Sequence, residues 1–344
     1  MKIKIKIKRA LKNILLWGLG FGIIFLIINY IGISDVIHVF LSMDIGIFLF
    51  AIILYCMMVF TIIIRWKYLL NMNNYDASLK NLFLLSMMGQ FINNITPSMK
   101  GGSEPFRAHY LSKLENIPKH ISYSSVAIER LLDTIVFLIL SLFLIVYFVI
   151  SGIQYANLLI LMWSTVMIIS LLIIYLAMHK SLLYKCILKI LKIMSIFSPS
   201  YRIDENEIKK SIKLFQDNIR LFNKNKSKML IPFILSYIWW ILDMIRVYVL
   251  FIAIKSNILF IGVFSTYLVS LLVGMVPTLP GGLGASDAVM IGMYSLFNIP
   301  QSEAAAGTIL DRTISYGLAT AVGAISFKII KDKAKNLKIK TKIS

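Results

Sequence analysis

Thr96-Pro97-Ser98-Met99-Lys100-Gly101-Gly102 and Val276-Pro277-Thr278-Leu279-Pro280-Gly281-Gly282 carry one pattern twice, a proline followed at the same distance by a glycine pair. Both stretches sit inside segments otherwise apolar enough to be buried in a membrane. Proline and paired glycines interrupt a helix. In hydrocarbon an interrupted helix survives only where protein or a water-filled cavity satisfies the freed backbone groups. Interruptions in corresponding halves of a chain point to the binding site of a transporter.

Around these breaks the chain is 58% hydrophobic, with a mean hydropathy of +0.81, and its apolar runs are long enough to cross a hydrocarbon core of about 30 Å. The pattern predicts an all-α polytopic membrane protein. Six full transmembrane helices are expected near 14–33, 45–64, 126–150, 158–178, 229–254 and 304–327. Two broken or re-entrant helical hairpins are expected near 81–114 and 258–298, each a pair of half-helices around its proline-glycine loop. The run at 14–33 follows a basic arm, is too long for a signal-peptide core and lacks a small-residue cleavage site, so it reads as a retained helix.

The net charge of +20 would suggest nucleic acid in a soluble protein, but its placement suits the positive-inside rule. Lys2, Lys4, Lys6, Lys8, Arg9 and Lys12 precede the first helix, and further clusters span Arg65 to Lys80, Arg107 to Lys119, Lys180 to Lys228 and Lys328 to Lys342. Lys255 alone falls in a loop placed outside. Both termini are therefore expected in the cytoplasm, in a multi-pass protein of the cytoplasmic membrane with no nucleic-acid partner. Counting crossings, the first hairpin enters from the cytoplasm and the second from outside, so the halves form an inverted-topology repeat. The predicted organisation is a basic arm at 1–13, a first repeat at 14–152, a second repeat at 153–328 with a cytoplasmic insert at 179–228, and a basic tail at 329–344.

The insert holds two amphipathic stretches. Lys185, Lys189 and Lys192 share one helical face opposite Leu183, Ile187, Ile190 and Met194; Ile208, Ile212, Phe215, Ile219 and Phe222 recur at helical spacing among Lys209, Lys210, Lys213 and Arg220. Two readings are open, helices lying on an anionic lipid surface or helices packed on the ends of the bundle. Cys56 and Cys186 form no disulfide framework, and His38, His109, His120 and His179 lack ligand spacing. No metal, nucleotide or other cofactor is expected.

Intramembrane charge is costly, about 2.5–3.5 kcal/mol per residue at mid-helix on insertion scales, and usually faces a cavity or a partner. Glu129, Arg130 and Asp133 open one long helix, with the two acids one turn apart, and Asp311 and Arg312 hold a corresponding place in the last helix. Asp243 and Arg246 form an intramembrane pair with no clear counterpart in the first half. Arg107, Arg130 and Arg312 are candidates to bind a phosphate head group, since a guanidinium matches phosphate in a bidentate fork. The alternative is that Arg130 and Arg312 tie their helices to carbonyls freed by the broken hairpins. Ser103-Glu104 and Ser286-Asp287 start the half-helices beyond each loop, whose amides would receive an anion or the acids Glu104 and Asp287 themselves. Gly101, Gly102, Gly281, Gly282 and Gly284, with Pro97, Pro277 and Pro280, would shape the cavity.

The run Asn94-x-x-Pro97-x-x-x-Gly101-Gly102-x-Glu104-x-x-Arg107, then Glu129-Arg130-x-x-Asp133, Pro277-x-x-Pro280-Gly281-Gly282-x-Gly284 and Arg312 resembles the flippase-like membrane domain of lysylphosphatidylglycerol synthases, the multiple peptide resistance factor family. The resemblance covers nearly the whole chain. It implies movement of an anionic or aminoacylated phospholipid, or of a polyprenyl-phosphate-linked lipid. On that reading Arg107, Arg130 and Arg312 hold the head-group phosphate, Glu129, Asp133 and Asp311 orient those arginines or couple to protons, and Asn94 and Glu104 are further candidate contacts. Full-length members continue into a cytosolic domain that transfers lysine from lysyl-tRNA to phosphatidylglycerol; this chain is expected to lack it and not to act as an enzyme. Two other classes stand beside the transporter. One is a membrane subunit presenting lipid to a separately encoded transferase or glycosyltransferase docked on the basic insert. The other is an intramembrane lipid transferase, phosphatidylglycerol lysyltransferase by family name.

Overall fold

The computed structural model describes residues 18, 22, 25–96, 102–153, 156–179, 181–197, 205–224, 226–274 and 282–343. Among them the chain is helical: α1 Ile33–Leu41, α2 Ile45–Asn71, α3 Leu79–Ile95, α4 Glu104–Leu114, α5 Lys119–Ile150, α6 Ala156–Met178, α7 Leu182–Phe197, α8 Glu205–Lys224, α9 Lys226–Ala253, α10 Phe260–Gly274, α11 Ala285–Ser295, α12 Gln301–Arg312 and, after a π-helical turn at Thr313–Leu318, α13 Ala319–Ile343. Five of these stretches are long and apolar enough to cross a membrane: Ile45–Asn71, Lys119–Ile150, Ala156–Met178, Ser227–Ala253 and Gln301–Leu337. Of the sixth expected crossing, 14–33, residues 25–31 are helical, and 14–17, 19–21, 23 and 24 lie outside the described residues.

Both expected interruptions are flanked as the sequence predicts, by α3 and α4 and by α10 and α11. Pro97, Gly101, Pro277, Pro280 and Gly281 lie outside the described residues. Beyond each second half-helix the chain makes the same turn from the same tripeptide. Asn116-Ile117-Pro118 and Asn298-Ile299-Pro300 have left-handed asparagines at φ 52 and 58, isoleucines buried at 2% and 6% exposure, and prolines at φ −52 and −54 that cap α5 and α12. Asparagine tolerates the left-handed region, and proline is preset for a helix entry. The repetition inferred from the loops therefore extends into a pair of turns the sequence reading passed over.

The chain divides into two compact units. Unit one comprises 1–63, 83–107 and 237–344; unit two comprises 64–82 and 108–236. In unit one, α10 packs along α11, α11 on α12, and α12 on α1. Glycines set the closest approaches. A Cβ on Gly307 of α12 would stand 2.5 Å from the Phe251 ring of α9, and one on Gly323 of α13 would stand 2.4 Å from the Met87 carbonyl oxygen of α3. Phe251 also stacks on Tyr294 of α11, with ring centroids 4.5 Å apart.

In unit two, α5 packs on α6 and α8. Leu69, Ile128, Leu132 and Phe222 form a buried cluster joined by Ile219 and Phe233. The insert helices form as expected, and α8 settles one of the two readings for itself: its apolar face is packed on the bundle. Asn218 donates to Ser124, and Gln216 donates to the carbonyls of Ala177 and His179 at 2.9 and 3.2 Å. Tyr184 of α7 donates to Glu205 of α8 at 2.9 Å, a hydrogen bond to the phenol that raises its proton affinity.

Candidate functional site

Each unit is built around a buried arginine. In unit two this is Arg65, 1% exposed, near the end of α2. Its Nη2 donates to Glu129 at 2.9 Å and to Asp133 at 3.1 Å; its Nη1 donates to Ser236 at 2.7 Å and to the second Asp133 oxygen. Glu129 and Asp133, one helical turn apart on α5, together grip one guanidinium, as their spacing allows. Neighbouring Trp66 donates to Ser125 at 3.1 Å. Arg130 sits at the edge of this cluster: its side chain is 39% exposed and its Nη1 lies 3.8 Å from Asp133.

This corrects two sequence expectations. Arg65 was assigned to a cytoplasmic basic cluster, whereas it is the fully buried partner of the α5 acids. It is also the counterpart that Asp243 and Arg246 lacked. Arg65 and Glu129 are 64 residues apart; Arg246 and Asp311, its equivalents in unit one, are 65 apart.

Arg246 of α9 is likewise 1% exposed. Its Nε and Nη2 donate to Asp243 at 3.0 and 2.7 Å, and Nη2 donates to Asp311 of α12 at 2.6 Å. Tyr267 of α10 donates its hydroxyl to the other Asp243 oxygen. Tyr55 of α2 and Tyr294 of α11 lie within electrostatic range of the arginine. Tyr55 and Ser236 are separated along the chain by the same number of residues as Arg65 and Arg246, so Tyr55 holds in unit one the sequence position that Ser236 holds in unit two. The sequence reading passed over Arg65, Tyr55, Tyr267 and Tyr294; the offset shared by Arg65 and Arg246 was the available signal.

Arg312 follows Asp311 and faces the start of α11. Nε donates to Asp287 and Nη2 to Ser286, both at 2.6 Å. Asp287 also accepts the Gly284 amide at 2.8 Å, and Ser286 donates to the Gly282 carbonyl at 2.7 Å. The left-handed glycines Gly282 and Gly284, φ 74 and 83, permit this turn. Of the two occupants open for the α11 N-terminus, Asp287 takes the first amide. Arg312 binds side chains, with one carbonyl reached indirectly through Ser286, and the freed-carbonyl reading holds only in that form. Its Nη1 has no protein partner among the described residues, and the side chain is 19% exposed.

The start of α4 is held in the same unit. Ser103 donates its amide to Asn93 at 3.1 Å, and a Cβ on Gly89 would lie 2.7 Å from Arg107 Cδ, so α3 and the start of α4 lie side by side. Arg107 is buried and Glu104 half-buried in the first turn of α4, after Gly102. Asn94 donates to Thr320 at 2.9 Å and accepts from Tyr316 at its carbonyl at 2.6 Å. These bonds pin the π-helical turn that follows Arg312, a feature frequent at functional sites. Asn94, Arg107, Asp287, Asp311 and Arg312 thus share unit one, while Glu129, Arg130 and Asp133 belong to unit two.

A family model for the lysylphosphatidylglycerol synthase transmembrane region matches residues 14–323. The chain belongs to that family. It is 42% identical over 332 residues to the UPF0104 membrane protein MJ1595 of Methanocaldococcus jannaschii, covering 96% of this chain and 97% of that one. A UPF0104 membrane protein of Methanothermobacter thermautotrophicus is 30% identical over 286 residues, 80% of this chain and 82% of the other. PH1989 of Pyrococcus horikoshii is 25% identical over 325 residues, 92% and 96% of the two chains. The resemblance read from the motifs is the family found, and the protein is a polytopic membrane protein.

Proposed function

We propose that the protein moves a lipid with an anionic head group across the cytoplasmic membrane, and that Arg312 receives the phosphate. The observation carrying this reading is the state of that guanidinium. Asp287 and Ser286 fix two of its donors and orient it at the second loop, and Nη1 remains to meet a ligand oxygen. A positioned arginine with a free donor suits phosphate, to which a charge-assisted hydrogen bond is short and strong.

The reading continues with an inverted repeat whose halves rock about a midplane cavity, with the loops as re-entrant hairpins and the termini in the cytoplasm. The shared Asn-Ile-Pro turns and the matching Arg65 and Arg246 spacings support duplication of the halves. No catalytic step is assigned to the chain. Reconstitution in vesicles with labelled phosphatidylglycerol, lysylphosphatidylglycerol or polyprenyl phosphate tests the reading. It predicts accelerated movement of at least one of these lipids; rates equal to protein-free vesicles for all three would overturn it.

A subunit that presents lipid to a separate transferase is the second reading, favoured by exposed Lys209, Lys210 and Lys213 on the outer face of α8. Because α8 packs into unit two, charge reversal at these lysines is a cleaner probe than removing the insert. Co-purification of a transferase that the reversal abolishes would support this version, and a complex indifferent to it would not.

A further inference from the structure

Arg130 and Arg312 hold equivalent places in the two halves, each directly after an acid, but the helices that carry them continue differently. α5 runs from Lys119 to Ile150 as one α-helix through Glu129, Arg130 and Asp133. Thr134, four residues beyond the arginine, donates its hydroxyl back to the Arg130 carbonyl at 2.8 Å. After Arg312 the chain instead widens into the π-helical turn Thr313–Leu318. Tyr316, four residues beyond that arginine, sends its hydroxyl across to the Asn94 carbonyl at the end of α3, at 2.6 Å. A π-turn is rare and concentrates at functional sites, and the α-helical counterpart shows that the shared acid-arginine pattern does not require one.

The Asn94 side chain grips the same turn. Its Nδ2 donates to Thr320 Oγ1 at 2.9 Å and reaches the Ser315 carbonyl at 3.5 Å. The preceding residue, Asn93, is also buried and accepts the Ser103 amide, just before α4, at 3.1 Å. Two consecutive asparagines at the end of α3 thus join the start of α4 to the turn that follows Arg312, and Arg312 joins that turn to the start of α11 through Asp287 and Ser286. The α3–α13 crossing beside these bonds is close, with Phe91 and Phe327 ring centroids 5.9 Å apart.

The turn sets where Arg312 points. Each residue of an α-helix advances it by about 100°, and a π-turn takes one residue more into each hydrogen-bonded ring than an α-turn. Closing this turn to an α-helix, with α13 still seated on α3, would rotate α12 by about that angle. Arg312 would then leave Asp287 and Ser286. We propose that Asn94 and Tyr316 are positioning residues of the head-group site: they hold the π-turn open, and the π-turn aims Arg312 at the start of α11. The positioning is a property of the protein alone; its use for a phosphate rests on the translocation reading.

The test has two arms on the full-length protein. In phosphatidylcholine nanodiscs, hydrogen–deuterium exchange read by mass spectrometry follows the peptide covering residues 284–290, which Arg312 holds and Asn94 does not bond. Asn94→Ala should raise exchange there by about two- to tenfold, the equivalent of one neutral hydrogen bond. Thr320→Val, which removes the partner and leaves the asparagine in place, should act in the same direction. Exchange equal to wild type in both variants, with helicity unchanged by circular dichroism, would overturn the positioning. The second arm measures labelled phosphatidylglycerol movement in vesicles. Tyr316→Phe should slow it by about two- to tenfold, and should add nothing to the slowing already caused by Arg312→Gln. A residue that only braces α13 against α3 would slow both backgrounds equally, and that result would overturn the proposal. Raised exchange at 284–290 in the variants, with no lipid movement by the wild type, would leave the positioning standing and sink the translocation reading.

Discussion

Arg65 meets Glu129, Asp133 and a serine hydroxyl, with Arg130 3.8 Å from one of those acids. Arg246 meets Asp243 and Asp311, and a tyrosine hydroxyl stands where a second cation would be needed. The two arginines have nearly the same spacing to their distant acids, 64 and 65 residues, yet one cluster is electrically closed and the other is not. A closed cluster acts as a bracket between helices. The other stands beside Arg312, which is held by Asp287 and Ser286. The two arginines are thus met by different sets of partners.

The largest expected effect that could break this comparison is in stability. Arg246→Gln strands two buried acids and should cost about 3–5 kcal/mol, the usual penalty for breaking a buried pair. Arg65→Gln should cost less, since Arg130 remains near Asp133. Thermal unfolding in detergent at neutral pH compares them, and equal losses would erase the distinction.

A smaller effect sharpens the role of α13, which follows the π-helical turn after Arg312. Gly323→Ala drives a methyl into the Met87 carbonyl and should cost about 1–3 kcal/mol. Gly292→Ala on α11 meets nothing within 4 Å and should be neutral or stabilise by up to about 1 kcal/mol. Tyr316→Phe removes the hydrogen bond to the Asn94 carbonyl and should cost about 0.5–1.5 kcal/mol. Smallest of all, Arg130→Gln removes a long, 39% exposed contact and should change stability by no more than about 1 kcal/mol. A loss of the Arg246→Gln size there would mean that Arg130, not Arg65, holds unit two together.

Much of the fold was legible because hydrocarbon restricts the choices. Long apolar runs become helices, and a proline-glycine break announces a helix pair, as α3 with α4 and α10 with α11 show. Capping turns were equally legible in principle, since Asn116-Ile117-Pro118 and Asn298-Ile299-Pro300 are identical tripeptides, but nothing marks them until the halves are aligned. Buried charge was read less well. Arg65 adjoins Lys67 and Lys80 in the chain, so a rule about basic residues near membrane ends absorbed it; only its contact with Glu129 and Asp133, far along the sequence, reveals its burial. Tyr267 and Gly323 gave no local signal, because a tyrosine in a polar cluster and a glycine at a helix crossing look like any others in an apolar run. Asp287 was recognised as a competitor for the α11 amide, and its bond to Arg312 shows that it also holds that guanidinium.

The central claim is that Arg312 holds the head-group phosphate during lipid movement. The most direct measurement is the rate at which labelled phosphatidylglycerol in the inner leaflet of proteoliposomes reaches an impermeant quencher, for wild type and for Arg312→Gln with matched incorporation and helicity. A charge-assisted hydrogen bond is worth about 1.5–3 kcal/mol, so a loss of about ten- to hundredfold in rate is predicted. Movement by Arg312→Gln at the wild-type rate would contradict the account.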